Sequence, residues 1–314
     1  MADDHDPHPN TPPEAAAIHS AGHSGGAPRF KRLVVIGAGL LGASVALAAR
    51  KHALVDRIAG LGRSQATLDK ALQLGVVDEA SRDDAILDGA DLVVVATPLS
   101  AFEAALTAVA KFAPPTALVT DVGSTKANVV DMAQRILAGR QPFVGAHPMA
   151  GSEKSGPEHA TADLFLGRPC VLTPAPDTSP DALAAAHAFW QALGFAAVLE
   201  MSPEDHDRAV AAVSHLPHLA SVMLVEAAQH LGGWELASTG FRDTTRLAAS
   251  NPPMRADIID ANRPAIAQAL RAYRDRVDAW IAAVEQDDHA ARLRLLEAAK
   301  QTRQDALAPG TSTP

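Results

Sequence analysis

The apolar run Leu33-Val34-Val35-Ile36 passes directly into Gly37-Ala38-Gly39-Leu40-Leu41-Gly42 and then into Ala43-Ser44-Val45-Ala46-Leu47-Ala48. A G-x-G-x-x-G pattern set between a strand and a helix leaves few folds open. Gly37 permits a tight turn, Gly39 lets a pyrophosphate approach the backbone, and Gly42 lets the helix pack on the strand. The helix N-terminus, with Leu40 and Leu41 in its first turn, then faces the phosphates. The pattern predicts a doubly wound α/β domain of the Rossmann type, and residues 30–178 agree with it. Further strands are predicted at 58–61, 92–96, 118–121, 143–146 and 170–172. Each is almost wholly apolar, as parallel strands covered on both faces are, and helical stretches alternate with them.

The residue after the second strand reads the adenosine ribose, and an acid there selects NAD. Here Arg57-Ile58-Ala59-Gly60-Leu61 is followed by Gly62, Arg63 and Ser64, with no acid. Arg63 can pair with a 2′-phosphate, helped by the hydroxyls of Ser64 and Thr67. The favoured cofactor is therefore NADP, with NAD also possible. Thr97, just after the predicted strand at 92–96, and Ser124 complete the expected cofactor contacts.

After Asp177-Thr178-Ser179-Pro180 the strand signal nearly vanishes, and only Val198-Leu199 reads as extended. Residues 179–307 are predicted to form an all-helical domain for substrate binding and dimerisation. Ser202-Pro203-Glu204-Asp205 carries a Ser cap, Pro in the first turn and an acid three residues on, opening a helix that runs to about Leu231 before Gly232-Gly233. Asn251-Pro252-Pro253 opens another long helix, and 287–307 supplies the last. These helices are too apolar to cover one sheet alone, so a homodimer through them is expected. Residues 1–29, with His5, His8, His19 and His23, and residues 308–314 read as disordered tails.

A formal net charge of -9 argues against nucleic acid or an anionic membrane surface as partner. It also means that an anionic substrate needs locally concentrated positive charge. No apolar run reaches the ~18–20 residues of a membrane span, there is no signal-peptide pattern, and the one cysteine, Cys170, fits a reducing cytoplasm.

Four polar clusters supply candidate chemistry. Residues 121–126 (DVGSTK) and 145–154 (GAHPMAGSEK) both follow apolar strands, whose C-terminal ends face the ligand crevice in an open α/β sheet. His147 is thereby expected beside the nicotinamide. Ser214-His215-Leu216-Pro217-His218 lies inside the long helix, where Pro217 removes a backbone hydrogen bond. Phe241-Arg242-Asp243-Thr244-Thr245-Arg246 precedes the next one. His215 and His218 lack the further ligands of a zinc site, so no metal is expected. Arg246 has a plainer alternative as a surface pair with Asp243, three residues away.

With these runs in order, the sequence resembles the prephenate/arogenate dehydrogenase family of tyrosine biosynthesis over about residues 31–305. The resemblance implies oxidative decarboxylation of a cyclohexadienol carboxylate. It also implies roles by position. His147 accepts the ring-hydroxyl proton, and Ser124 orients His147 beside the nicotinamide. Arg246 binds a substrate carboxylate, and His218 holds substrate with His215, Ser152 and Glu153 lining the pocket. The chain has no room for the C-terminal regulatory or fused mutase domain of some relatives. Two other readings are a β-hydroxyacid dehydrogenase or related reductase and a non-catalytic NADP sensor. The first expects a lysine on the long helix, and residues 204–231 contain none. The second needs no base at the nicotinamide.

Overall fold

The computed structural model describes residues 29–151 and 154–307. Ser152, Glu153, the tail histidines and residues 308–314 lie outside the described residues.

The chain runs β1 (Phe30–Ile36), α1 (Leu40–Lys51), β2 (Val55–Leu61), α2 (Gln65–Gln73), β3 (Glu79–Ser81), β4 (Leu92–Val95), α3 (Phe102–Phe112), β5 (Leu118–Asp121), α4 (Ala127–Leu137), β6 (Phe143–Pro148), β7 (Pro169–Thr173), α5 (Pro180–Ala192) and β8 (Ala197–Glu200). The eight strands form one sheet in the order β3-β2-β1-β4-β5-β6-β7-β8. Leaving β1, the chain first builds outward through β2 and β3, then returns to place β4 on the other side. The strand order therefore reverses at β1/β4, and the crevice at the C-terminal ends of these strands is where such sheets bind ligands. Successive residues of the apolar strands serve opposite cores. Leu33, Val35, Leu92 and Val94 join the cluster under α1 and α5. Val34, Ile36, Val93 and Val95 join the one under α3 and α4.

Three features depart from the sequence reading. β3 is an added short edge strand. β7 runs antiparallel to β6, so the sheet is mixed rather than wholly parallel. The 149–168 connection, as far as it is described, holds only a short turn at Pro157–His159 and no crossover helix, and without a crossover the chain can only re-enter antiparallel. The sheet also continues past residue 178. α5 buries Phe189 and Trp190 against it, and β8 pairs in parallel with β7. The change to all-helical structure comes near residue 201, because Val198-Leu199 belongs to a sheet strand.

From there follow α6 (Pro203–Val210), α7 (Leu216–Leu231), α8 (Thr239–Thr245), α9 (Pro252–Ala261), α10 (Arg263–Glu285) and α11 (His289–Ala306). The expected caps form: Ser202 Oγ accepts from the Asp205 N–H and Asn251 Oδ1 from the Met254 N–H. The long helix expected from Ser202 is split by a wider i→i+5 turn over Ala211–His215, immediately before Pro217. A proline cannot supply the N–H that a regular helix needs there, and the wide turn absorbs the defect. Pro203–Leu231 is long and apolar enough by composition to cross a membrane, with mean hydropathy 1.3. His206, Asp207, His215 and His218 interrupt it, however, and all four are buried against the protein.

The glycines of the first turn separate fold from binding. A Cβ on Gly42 would lie 2.8 Å from Val35 Cγ1 and closer still to the Gly37 carbonyl, whereas one on Gly39 meets nothing within 4 Å. Gly42→Ala is expected to cost about 1–3 kcal/mol of stability through overpacking. Gly39→Ala is expected to leave the melting temperature within about 1 °C while weakening dinucleotide binding at least ~10-fold, by filling the pyrophosphate approach. Thermal melts and fluorescence titration with dinucleotide check both.

Candidate active site

The cofactor cradle follows from the first turn. Gly37 adopts φ +99°, and a side chain there would sit 2.6 Å from the Ala96 carbonyl, so only glycine fits. Gly39 is the N-cap of α1, with no side chain capping the first turn and no acid within it. The leading N–H groups of α1 are thus left for an anion. Thr97 Oγ1, beyond β4, is buried with no hydrogen-bond partner. Open space over Gly39 and an orphaned hydroxyl on Thr97, whose backbone lies against Gly37, fit a bound dinucleotide. At the end of β2, Arg63 is exposed and makes no ion pair among the described residues. Ser64 caps α2, its Oγ accepting from Thr67 N (3.3 Å) and Thr67 Oγ1 (3.1 Å), which leaves the Ser64 hydroxyl proton free to donate.

Three strands further along the sheet, β5 ends at Asp121. Its carboxylate accepts from Gly123 N–H (2.7 Å) and from Ala146 N–H (2.9 Å), and it pairs with the Lys126 ammonium. Lys126 also donates to the Ala146 carbonyl at 2.8 Å. Parallel pairing of β5 with β6 stops at Thr120↔Val144, so these side chains take over where the ladder ends and fix Ala146 from both of its backbone groups. The next residue is His147.

His147 Nδ1 lies 2.8 Å from His206 Nε2, and His206 Nδ1 lies 2.8 Å from Asp207 Oδ1. The proton positions follow by elimination. A carboxylate only accepts, so His206 carries its proton on Nδ1 and presents a lone pair at Nε2. His147 must then donate from Nδ1, leaving the lone pair of its Nε2 without a partner among the described residues. Burial, then the neighbouring His206, Lys126 and His215, hold the His147 pKa well below 6.5. Burial likewise lowers His206, although Asp207 opposes it. Both rings are neutral at cellular pH, and His147 presents a base. Asp207 is itself fixed by the backbone N–H groups of Lys126 (2.8 Å) and Ala127 (2.9 Å) at the start of α4.

The helical side closes the cluster. His215, in the wide turn, accepts at Nδ1 from Asn262 Nδ2 (3.2 Å), whose other proton goes to the Asp207 carbonyl (2.8 Å). Burial takes the His215 pKa down to about 4. His218 is buried on α7 and also lowered, first by burial and then by Arg255. One turn beyond it, Ser221 Oγ accepts from Ala248 N–H (3.0 Å), docking the short helix Arg246–Ala249 onto α7. Arg246 is exposed and forms no ion pair among the described residues; the pairing with Asp243 is not made.

His147, His215 and His218 are thus brought together, with Arg246 on the segment packed beside them. Ser124 is half-buried at the crevice. Among the described residues the hydrogen bond of the His147 ring is made with His206, and none is made with Ser124, the partner expected from the sequence. His206, Asp207, Lys126 and Asn262 were missed as functional residues. The only signals were the adjacent His206-Asp207 on a capped helix and a lysine at the end of an apolar strand.

Residues 45–199 match the family described as prephenate dehydrogenase, nucleotide-binding domain, and residues 202–300 match the prephenate dehydrogenase dimerization domain. The prephenate dehydrogenase of Bacillus subtilis (strain 168) is 36% identical over 86% of this chain and 75% of its own. The cyclohexadienyl dehydrogenase of Zymomonas mobilis is 33% identical over 77% of this chain and 84% of its own. Among solved structures, prephenate dehydrogenase from A. aeolicus in complex with hydroxyphenyl propionate and NAD+ superposes with a TM-score of 0.83. It is 30% identical and covers 88% of this chain and 98% of that one. Synechocystis arogenate dehydrogenase superposes with a TM-score of 0.78 at 33% identity, over 88% of this chain and 100% of that one. The mixed eight-stranded sheet, the glycine turn and the buried histidine pair accordingly belong to an oxidoreductase of the prephenate/arogenate dehydrogenase family.

Proposed function

We propose that this chain performs its family's reaction, the NAD(P)-dependent oxidative decarboxylation of prephenate, arogenate or both in tyrosine biosynthesis, with His147 as the base. The observation that carries this role is the uncommitted Nε2 lone pair of His147, fixed by the Asp207–His206 hydrogen bonds. The nicotinamide, when bound, takes up the hydride from the ring carbon that bears the hydroxyl. His147 draws on the hydroxyl proton as positive character grows at that carbon, the ring carboxylate departs as CO₂, and the proton returns to the oxygen of the phenol. As His147 gains positive charge, its Nδ1–H bond to His206 strengthens, backed by Asp207. Lys126, nearby and cationic, keeps the stay of the proton short. Ser124 contacts the cofactor, and Arg246 meets a substrate carboxylate, with His218 and His215 around it.

NADP is the preferred cofactor in this reading, because Arg63 and the free Ser64 proton suit a 2′-phosphate and the second strand ends without an acid. The enzyme is cytoplasmic and works as a homodimer through its helical domain. The dimerization-domain match supports this, as does the exposed apolar stripe of Val277, Ile281 and Val284 on α10.

The first test is nicotinamide reduction with prephenate and arogenate, each paired with NAD and NADP; no turnover in any pairing from folded, dinucleotide-binding protein would remove the substrate assignment. His147→Gln is expected to lower kcat by about 10²–10⁴. Because the His147 pKa is depressed, activity should stay flat from pH 8 to 6 and fall only well below 6.5. His206→Leu should lower kcat by at least ~10-fold with the cofactor KM unchanged, since an unpartnered Nδ1–H no longer fixes the tautomer. Stability has the same sign. Histidines held neutral in the fold contribute fully above pH 6.5, and the melting temperature should drop as pH falls from 6.5 toward the His215 value of about 4. Arg63→Ala should raise the NADP KM about 10–100-fold and leave that of NAD within about 2-fold. Ile281→Glu with Val284→Glu should sediment as a monomer.

A further inference from the structure

Arg255 lies in the first turn of α9, half-buried, close enough to His215 and His218 that its charge lowers the pKa of both. Its Nε is buried without any hydrogen-bond partner. Among the described residues its one hydrogen bond is a long one, Nη2 to Ser250 Oγ at 3.4 Å, and no carboxylate pairs with it. Burial alone lowers its own pKa, with no anion opposing the shift. A guanidinium carries five donors in a rigid fork, and a protein rarely keeps such a group half-buried and unanswered. α9 also packs on residues 99–101, just beyond the C-terminal end of β4. The arginine therefore stands where the helical domain meets the crevice, beside two histidines that are neutral and offer no compensating charge.

We propose that Arg255 binds the side-chain carboxylate of the substrate and sets the preference for a keto-acid side chain over an amino-acid one, that is, for prephenate over arogenate. The inference rests on the dehydrogenase reading above. Arg246 and Arg255 then provide two cations for two carboxylates, which is the local positive charge that a chain of net charge -9 must supply to hold a dianion. An alanyl side chain brings its ammonium beside the same guanidinium, and like charges at that range exclude each other. A pyruvyl side chain presents only the carboxylate and the keto oxygen, both acceptors for the fork.

The test compares the wild-type enzyme with Arg255→Gln and Arg255→Lys. Wild type is expected to favour prephenate at least ~10-fold in kcat/KM. Arg255→Gln should raise the prephenate KM about 10–100-fold with kcat little changed, and raise that of arogenate less, so the ratio contracts. Arg255→Lys should keep the ratio within about 3-fold of wild type. Fluorescence titration of the cofactor complex with the two products, 4-hydroxyphenylpyruvate and tyrosine, provides a readout without turnover. Wild type should bind the keto acid more tightly and Arg255→Gln should lose that difference. A wild-type preference for arogenate, or an Arg255→Gln effect equal on both substrates or absent from both, overturns the proposal. Failure of the wild type to oxidise either substrate would instead overturn the dehydrogenase reading, and the titration would still show whether Arg255 holds the keto acid.

Discussion

Lys126 and Asp121 form an ion pair in which neither side chain has any solvent exposure, and the geometry of the site is built outward from it. Desolvating two charges costs more than a bare Coulomb attraction returns, so such a pair is tolerable only when its remaining valences are filled. Here they are: Asp121 takes the N–H groups of Gly123 and Ala146, and Lys126 gives a second proton to the Ala146 carbonyl. Removing either partner would strand a buried charge, a loss of about 3–5 kcal/mol. Two apolar residues of similar volume could match the stability, but they could not hold Ala146, and hence His147, at the end of β6.

The pair also sets the electrostatics of the base. A fixed ammonium near His147 adds to burial and His206 in keeping the imidazole neutral, the state the proposed base needs. Neutrality alone does not say which nitrogen is free. That choice is made by Asp207 through His206, two hydrogen bonds away from the reacting atom. His206 thus acts on both properties: after burial it is the first neighbour holding the imidazole neutral, ahead of Lys126, and with Asp207 it sets the tautomer.

How much of this was legible in the sequence follows from the range of each signal. The turn Gly37–Gly42 is local: strand, glycines and helix are contiguous, and the need for glycine at Gly37 and Gly42 has a counterpart in a positive φ at the first and close approaches at both. The apolar strands were legible because burial on both faces leaves no polar positions. β8 and α5 were assigned to the wrong side of the boundary because a four-residue strand in an alanine-rich stretch carries no period, and only pairing with β7 reveals it. The place of His147 at the end of a largely apolar strand was legible from the sequence. Its orienting partner was not, since His206 lies 59 residues away and meets it only through the docking of α6. Arg255 was hidden for a similar reason. On the sequence it is an arginine in a helix that also contains two aspartates, and only the fold shows that neither answers it.

Asp207 links the two halves of the molecule and the chemistry at once. It belongs to α6 on the helical side, yet its carboxylate receives the first N–H groups of α4 on the sheet side, serving as that helix's N-terminal cap from 80 residues away. Its carbonyl receives Asn262, from the junction of α9 and α10. The same carboxylate fixes His206. A slip of the helical domain by an ångström would lengthen the α4 cap and the His206 bond together, and the His147 tautomer would be lost before any site residue had left the crevice. The His147 tautomer therefore depends on how the helical residues seat against the sheet, without any separate moving part.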